Sequence, residues 1–309
     1  MRMLEPAKTL IRKALGTHAI RQQLQSIHGD LQTRLDRLQA SAAASAAADT
    51  STATAATVRE SVANEYLSGN GIEIGAFASP LKTPSQASVS YVDRYNTDEL
   101  EKEFNLAGLT PSDFGFDPSA LVVPDIVDDG ESLAKLGDLT QDFVIANHVL
   151  EHFENPVKGF ANMLRVLRHG GFLYLALPEM EHSFDRIRQP TPFAHVWRDY
   201  IEGPAWSRRQ AFDEFAQVFV ENGMAKNLFA QKSGQELREF TQYVASELDR
   251  VNFSIHFHAW RKVDMIELFL QLKSRLKIGF SIELIKASGD EVIFVFKKIP
   301  YKVCNPPAA

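Results

Sequence analysis

The sequence predicts an α/β protein built on a doubly wound, mostly parallel sheet of seven strands whose last strand is antiparallel. Three observations predict it. Between residues 71 and 177, apolar runs that read as strands alternate with helical patterns, as a parallel sheet covered on both faces requires. The run Gly71-Ile72-Glu73-Ile74-Gly75-Ala76 ends in an acid and a tight glycine turn. A second run, Tyr91-Val92-Asp93-Arg94, places another acid 20 residues after Glu73. That spacing suits a sheet whose first strand-to-helix turn holds a nucleoside-bearing ligand and whose second strand tip holds the ribose. Finally, 278–286 and 291–298 are strand-like and joined only by Ala287-Ser288-Gly289-Asp290, so they form an antiparallel hairpin.

At the N-terminus, residues 7–39 read as helix, and Ile20, Leu24, Ile27, Leu31, Leu35 and Leu38 fall at spacings of 4, 3, 4, 4 and 3. This stripe allows an amphipathic helix packed on its own domain, a coiled coil that makes a homo-oligomer, or a helix lying on a membrane surface. Gly29 weakens a long continuous helix. Residues 40–57 contain only Ala, Ser and Thr apart from Asp49, a linker composition. The main domain then spans 58–300, with a short tail at 301–309.

Within it the predicted strands are 71–75, 88–93, 120–126, 141–147 and 171–177, with helices at 97–107 and 156–168. Asn155-Pro156 starts the second helix, and Gly170-Gly171 ends it. Residues 180–250 interrupt the alternation with an insertion rich in aromatics and Arg, helical near 207–223 and 233–250. An extended segment at 253–259 and a helix at 261–276 lead to the final hairpin.

Composition sets the outer bounds. The chain has 309 residues, 45% hydrophobic and 23% charged, as in soluble globular proteins. Its one cysteine, Cys304, excludes a disulfide framework and fits a reducing compartment. No run of 18 apolar residues occurs, and residues 1–16 lack the apolar core of a secretory signal, so a cytoplasmic location is expected. Residues 1–40 carry seven Lys/Arg and three Asp/Glu, a net of +4 that leaves −10 on the rest of a chain whose total is −6. An acidic main domain argues against a nucleic-acid partner.

The order of these pieces resembles the class I S-adenosylmethionine-dependent methyltransferases, in particular the methyltransferase type 11-like group, over roughly 69–298. The resemblance rests on Glu73-Ile74-Gly75, Asp93, the segment Asp129-Gly130-Glu131-Ser132-Leu133, the run Asn147–His152, and Arg165-Val166-Leu167-Arg168-His169-Gly170-Gly171. It implies S-adenosylmethionine as cofactor. Glu73 would then accept from loop amides and orient the methionine end, with Gly75 and Ala76 giving close backbone approach. Asp93 would take both ribose hydroxyls and Asp129 the adenine amino group, the Gly130 amide meeting a ring nitrogen. Asn147, His148 and His152 would lie near the methionine end. Asp128 competes with Asp129 for its position, and structural roles compete at every one of these residues. The chain departs from the usual Gly-x-Gly-x-Gly loop, because Phe77 and Ser79 occupy the next two glycine positions. Phe77 would obstruct a pyrophosphate, which argues against an NAD-dependent oxidoreductase.

Methyl transfer to a hydroxyl needs alignment, exclusion of water and sometimes a base. His182, His195, His256 and His258 are the candidate bases, beside Asp185 and Asp199. Two histidines at 256 and 258 without a placed carboxylate do not define a metal site, so no metal is expected. In the insertion, Arg186, Arg188 and Trp197 are candidate contacts to the acceptor, since Arg pairs with anions and aromatic faces pack on sugar rings. The same residues could instead form the insertion's own core. Similar domains accompany glycosyltransferases of surface polysaccharide pathways, so the resemblance implies a saccharide or related small metabolite as acceptor. A non-catalytic scaffold that keeps the fold is the second reading.

Overall fold

The computed structural model describes residues 55–100, 120–221 and 232–301. The expected N-terminal helix and tail, and most of the linker and of helix 97–107, lie outside these residues. Seven strands are present: β1 (Gly69–Ile74), β2 (Ala87–Asp93), β3 (Ile126–Val127), β4 (Gln141–Asn147), β5 (Leu167–Pro178), β6 (Phe280–Ser288) and β7 (Glu291–Lys298). They form one sheet in the order β3-β2-β1-β4-β5-β7-β6. The pairs among β1 to β5 are parallel, and β7 runs antiparallel to both β5 and β6. The expected fold class is therefore the observed one, the short turn after β6 forcing the single reversal.

Among the described residues, the helices that accompany the sheet include α1 (Ala55–Tyr66), α2 (Pro156–Val166), α3 (Phe193–Glu202), α4 (Arg208–Glu221), α5 (Gly234–Arg250) and α6 (Lys262–Arg275). Strand alternation divides the core into two layers. On one face Val144, Ala146, Val292, Phe294 and Phe296 pack with Phe160 and Met163 of α2 and with Leu268 and Phe269 of α6. On the other, Phe143, Ile145, Ile293 and Val295 pack with Val62 and Ala63 of α1 and with Leu67. A separate small core, with Phe212 and Phe215 of α4, Ala245 of α5 and Ile255, holds the insertion together.

Three local expectations are corrected. Helix α1 takes in residues 55–57, which composition had assigned to the linker. The third strand pairs over two residues rather than seven, because Pro124 has no amide to donate and the Asp125 side chain accepts the Tyr91 N–H at 2.8 Å in place of a ladder carbonyl. Segment 253–259 lies outside helix and strand, and its end is held to 180–191 by Met180 N–H to Trp260 O at 3.0 Å and Thr191 N–H to Ala259 O at 2.8 Å. Gly170-Gly171 do not end α2, which stops at Val166. They form a bulge within β5, where pairing jumps from Gln141 with Leu167 to Phe143 with Phe172.

Candidate active site

The C-terminal ends of β1, β2 and β4 and the loop after β3 lie side by side, tied by short hydrogen bonds. Gly75 N–H donates to Val92 O at 2.9 Å, and Asp128 N–H donates to Asp93 O at 2.8 Å. Asn147 Nδ2 reaches Glu73 Oε1 at 3.4 Å. Gly130 is packed so closely on β1 that a Cβ there would stand 2.7 Å from Ile74 Cγ2. The structure therefore brings Glu73, Gly75, Ala76, Asp93, Asp129, Gly130, Asn147 and His148 to one edge of the sheet, the edge where open α/β sheets hold ligands.

Each side chain has a defined state. Glu73 is 1% exposed and both of its oxygens accept the Leu81 N–H, at 3.0 and 3.1 Å. Burial pushes its pKa up to about 7, against the opposing effect of the Leu81 amide. Glu73 thus braces the loop from Gly75 to Leu81 from below. In that loop Gly75 has φ +63° and Phe77 φ +48°, so Phe77 adopts the left-handed backbone that a glycine would supply. Ala76 closes the turn by accepting Ser79 N–H at 2.9 Å. Burial raises the Asp93 pKa, and the amides of Tyr95 and Arg94 only partly offset it.

Asp128 and Asp129 differ in their bonding. Asp128 is buried and spends both oxygens on the Asp129 and Lys135 amides. Asp129 is exposed and accepts only Glu131 N–H through Oδ1. At the tip of β4, Asn147 Oδ1 is buried without a hydrogen-bond partner.

Beyond β4 the chain builds a polar cluster that sequence reading only partly anticipated. His148 Nε2 donates to Glu291 Oε2 at 2.9 Å, and Arg59 Nε donates to Glu291 Oε1 at 2.7 Å. Burial alone would lower the His148 pKa, but the Glu291 hydrogen bond and the Glu151 and Glu291 charges outweigh it and hold the imidazole above its ordinary value. Glu151 is fully buried, and neither carboxylate oxygen has a hydrogen-bond partner. Its pKa is raised by burial. Glu151 Oε1 lies 4.0 Å from both His148 Nδ1 and His256 Nε2. His256 Nδ1 donates to buried Asp185 at 2.6 Å, and the His152 and His256 rings meet edge to face at 4.6 Å. Desolvation drives the His152 pKa well down.

The four candidate histidine bases do not converge. His256 joins Glu151 and His152, whereas His258 joins His195 and Asp199, with the His195 and His258 rings 5.5 Å apart. His258 is buried, which pushes its pKa down to about 3. His182 is exposed, 3.9 Å from Glu179. The expectation of no metal rested on the lack of carboxylates near His256 and His258. The fold supplies them from elsewhere in the sequence, and both groups have donors close enough to hold a cation.

Among the candidate acceptor contacts, Arg186 is exposed. Arg188 points inward, donating to Asp185 at 3.0 Å and to the carbonyls of His256 and Phe257 at 2.8 and 3.1 Å. Trp197 stacks on Phe193 with ring centroids 5.7 Å apart and lies under Arg275 of α6. Glu151 could have been found from its place after a parallel strand. Glu291 and Arg59 carried no local signal, being 232 residues apart.

Residues 99–175 match the family model described as a methyltransferase domain. This segment carries the part of the site formed by the loop after β3 and the tip of β4, and the match bears out the resemblance read from the sequence. Similar solved structures include a SAM-dependent methyltransferase from Aquifex aeolicus, 11% identical, covering 77% of this chain and 86% of that one, with a TM-score of 0.37. A possible histamine N-methyltransferase from Thermotoga maritima is 13% identical, covering 74% and 82%, with a TM-score of 0.36. A protein from Methanococcus maripaludis described as a putative S-adenosyl-L-methionine-dependent methyltransferase is 16% identical, covering 78% and 82%, with a TM-score of 0.32. At these scores the overlays add nothing to the strand order. No curated protein matches the sequence.

Proposed function

We propose that the chain is an S-adenosylmethionine-dependent methyltransferase acting on an oxygen of a saccharide or related small metabolite. The observation that carries the cofactor reading is the gathering of Gly75, Asp93, Asp129-Gly130 and Asn147 at adjoining strand tips of a β3-β2-β1-β4-β5-β7-β6 sheet. Asp93 offers a two-oxygen acceptor for ribose hydroxyls. Exposed Asp129 and the Gly130 amide suit the adenine edge. The unpartnered Asn147 Oδ1 suits the ammonium of the methionine end. When bound, the sulfonium supplies the electrophile, so the protein's tasks are to align the acceptor and to take a proton.

An oxygen acceptor is favoured by the imidazoles near β4, where His148, beside Glu291 and Glu151, and His256, beside Asp185, each have a carboxylate partner. A saccharide is favoured by the partly exposed aromatics of the insertion, Tyr200 and Trp206, the latter carrying the exposed Arg198 guanidinium over its ring at 4.1 Å. Calorimetry with S-adenosylhomocysteine tests the cofactor reading, and transfer of a labelled methyl group to a glycan panel tests the acceptor. Absence of binding heat would favour the scaffold reading.

A further inference from the structure

The insertion and the segment after it bring together a second cluster of metal-type donors, separate from the strand tips. His195 and Asp199 lie at i and i+4 on α3, so their side chains leave the same helical face. His258 meets them from the segment that precedes α6. One donor atom from each residue lies within 4.8 Å of the others. His195 Nε2 and Asp199 Oδ2 are 3.2 Å apart, close to the roughly 3.3 Å edge of a tetrahedron with bonds of 2.0–2.1 Å.

The cluster leaves polar atoms unsatisfied. Asp199 is fully buried, and its Oδ2 has no hydrogen-bond partner, the contact with His195 being misdirected for one. His258 is 2% exposed and neither ring nitrogen is hydrogen-bonded. Each such orphan costs roughly 1–3 kcal/mol, and one donor atom from each residue lies near the others. The other Asp199 oxygen accepts Ser207 Oγ at 3.0 Å, the outer support a ligating carboxylate needs. A cavity of about 10 Å³ lined by Glu154, His195, Ser207, Arg208 and His258 lies beside the two imidazoles, with room for a single water.

We propose that His195, Asp199 and His258 bind one zinc-type divalent cation. Two imidazoles and one carboxylate with an open position are a zinc-compatible set. The ion fastens the insertion to the sheet domain. The Asp199 carbonyl accepts Asn155 Nδ2 at 2.9 Å, and the Asn155 Oδ1 caps α2 by accepting Lys158 N–H at 3.0 Å.

The test strips the full chain of metal with a chelator, then titrates it with zinc alone against a chromogenic competitor, and repeats the titration with cobalt to read the d–d bands. The expected result is one equivalent bound, with tetrahedral cobalt bands. Asp199→Asn and His195→Gln should weaken binding by more than about 100-fold, and Ser207→Ala by roughly 10-fold. His195 is one-quarter exposed, so its variant should stay folded, which circular dichroism checks. Glu151→Gln, which removes a carboxylate from the rival Glu151–His152–His256 group, should leave this binding unchanged. Absence of stoichiometric zinc, survival of full affinity in folded His195→Gln, or loss confined to Glu151→Gln would each overturn the assignment.

Discussion

Both carboxylate oxygens of Glu73, at the end of β1, accept the backbone N–H of Leu81, at 3.0 and 3.1 Å. One buried acid thereby fixes the far end of the loop that begins at Gly75. The acid works from beneath the loop, whose backbone is held by Gly75 N–H to Val92 O at 2.9 Å and Val122 N–H to Phe77 O at 2.8 Å.

The Glu73–Leu81 bond has a pH signature. The Glu73 pKa in the fold, about 7, lies above its ordinary 4.5, because burial disfavours the charge. The native state therefore binds this proton more tightly than the unfolded chain. Its stabilising contribution is full below about pH 4.5 and is lost as pH rises through about 7. Urea denaturation of wild type and Glu73→Gln at pH 5 and pH 8 should show the wild type losing up to about 3 kcal/mol relative to the variant. Parallel pH profiles would mean that Glu73 is ionised throughout.

Gly130 sets the distance between the loop after β3 and β1. Gly130→Ala puts a methyl group 2.7 Å from Ile74 Cγ2 inside the core. The expected cost is about 1–3 kcal/mol of stability, with weaker S-adenosylhomocysteine binding as the loop is pushed outward. Chemical denaturation and calorimetry read the two effects separately. Unchanged stability and affinity would show that the loop can shift freely.

Glu291 joins α1 to the tip of β4 through Arg59 and His148. Glu291→Ala should cost roughly 2 kcal/mol, less than a fully enclosed ion pair because Arg59 is about one-quarter exposed. A double-mutant cycle with Arg59→Ala should give a coupling above about 1 kcal/mol. Additive effects would mean the contact is only geometric.

The sheet was legible in the sequence because its strands are long apolar runs with acids or glycines at their ends. The antiparallel pair β6-β7 was legible because a turn as short as Ala287–Asp290 allows one geometry. The edge strand was not, since Pro124 and Asp125 replace its ladder by side-chain bonding, a tertiary event. The Gly170-Gly171 bulge was misread as a helix end because a bulge and a helix end favour the same residue. In the site, the strand-tip acids were legible from spacing. The pairing of His256 with Asp185 and Glu151, and of His258 with His195 and Asp199, was not. It joins segments up to 105 residues apart in sequence, and neighbouring histidines turn to different partners.

The central claim is that the strand tips hold S-adenosylmethionine, and titration calorimetry of wild type and Asp93→Ala with S-adenosylhomocysteine tests it most directly. Asp93 stands at the tip of β2, away from the apolar core, so the variant should remain folded. The account predicts one site per chain in the wild type, weakened by about 1.5–3 kcal/mol in the variant, the scale of hydrogen bonds to a charged acceptor. No binding heat from the folded wild type, or equal affinity in the folded variant, would contradict it.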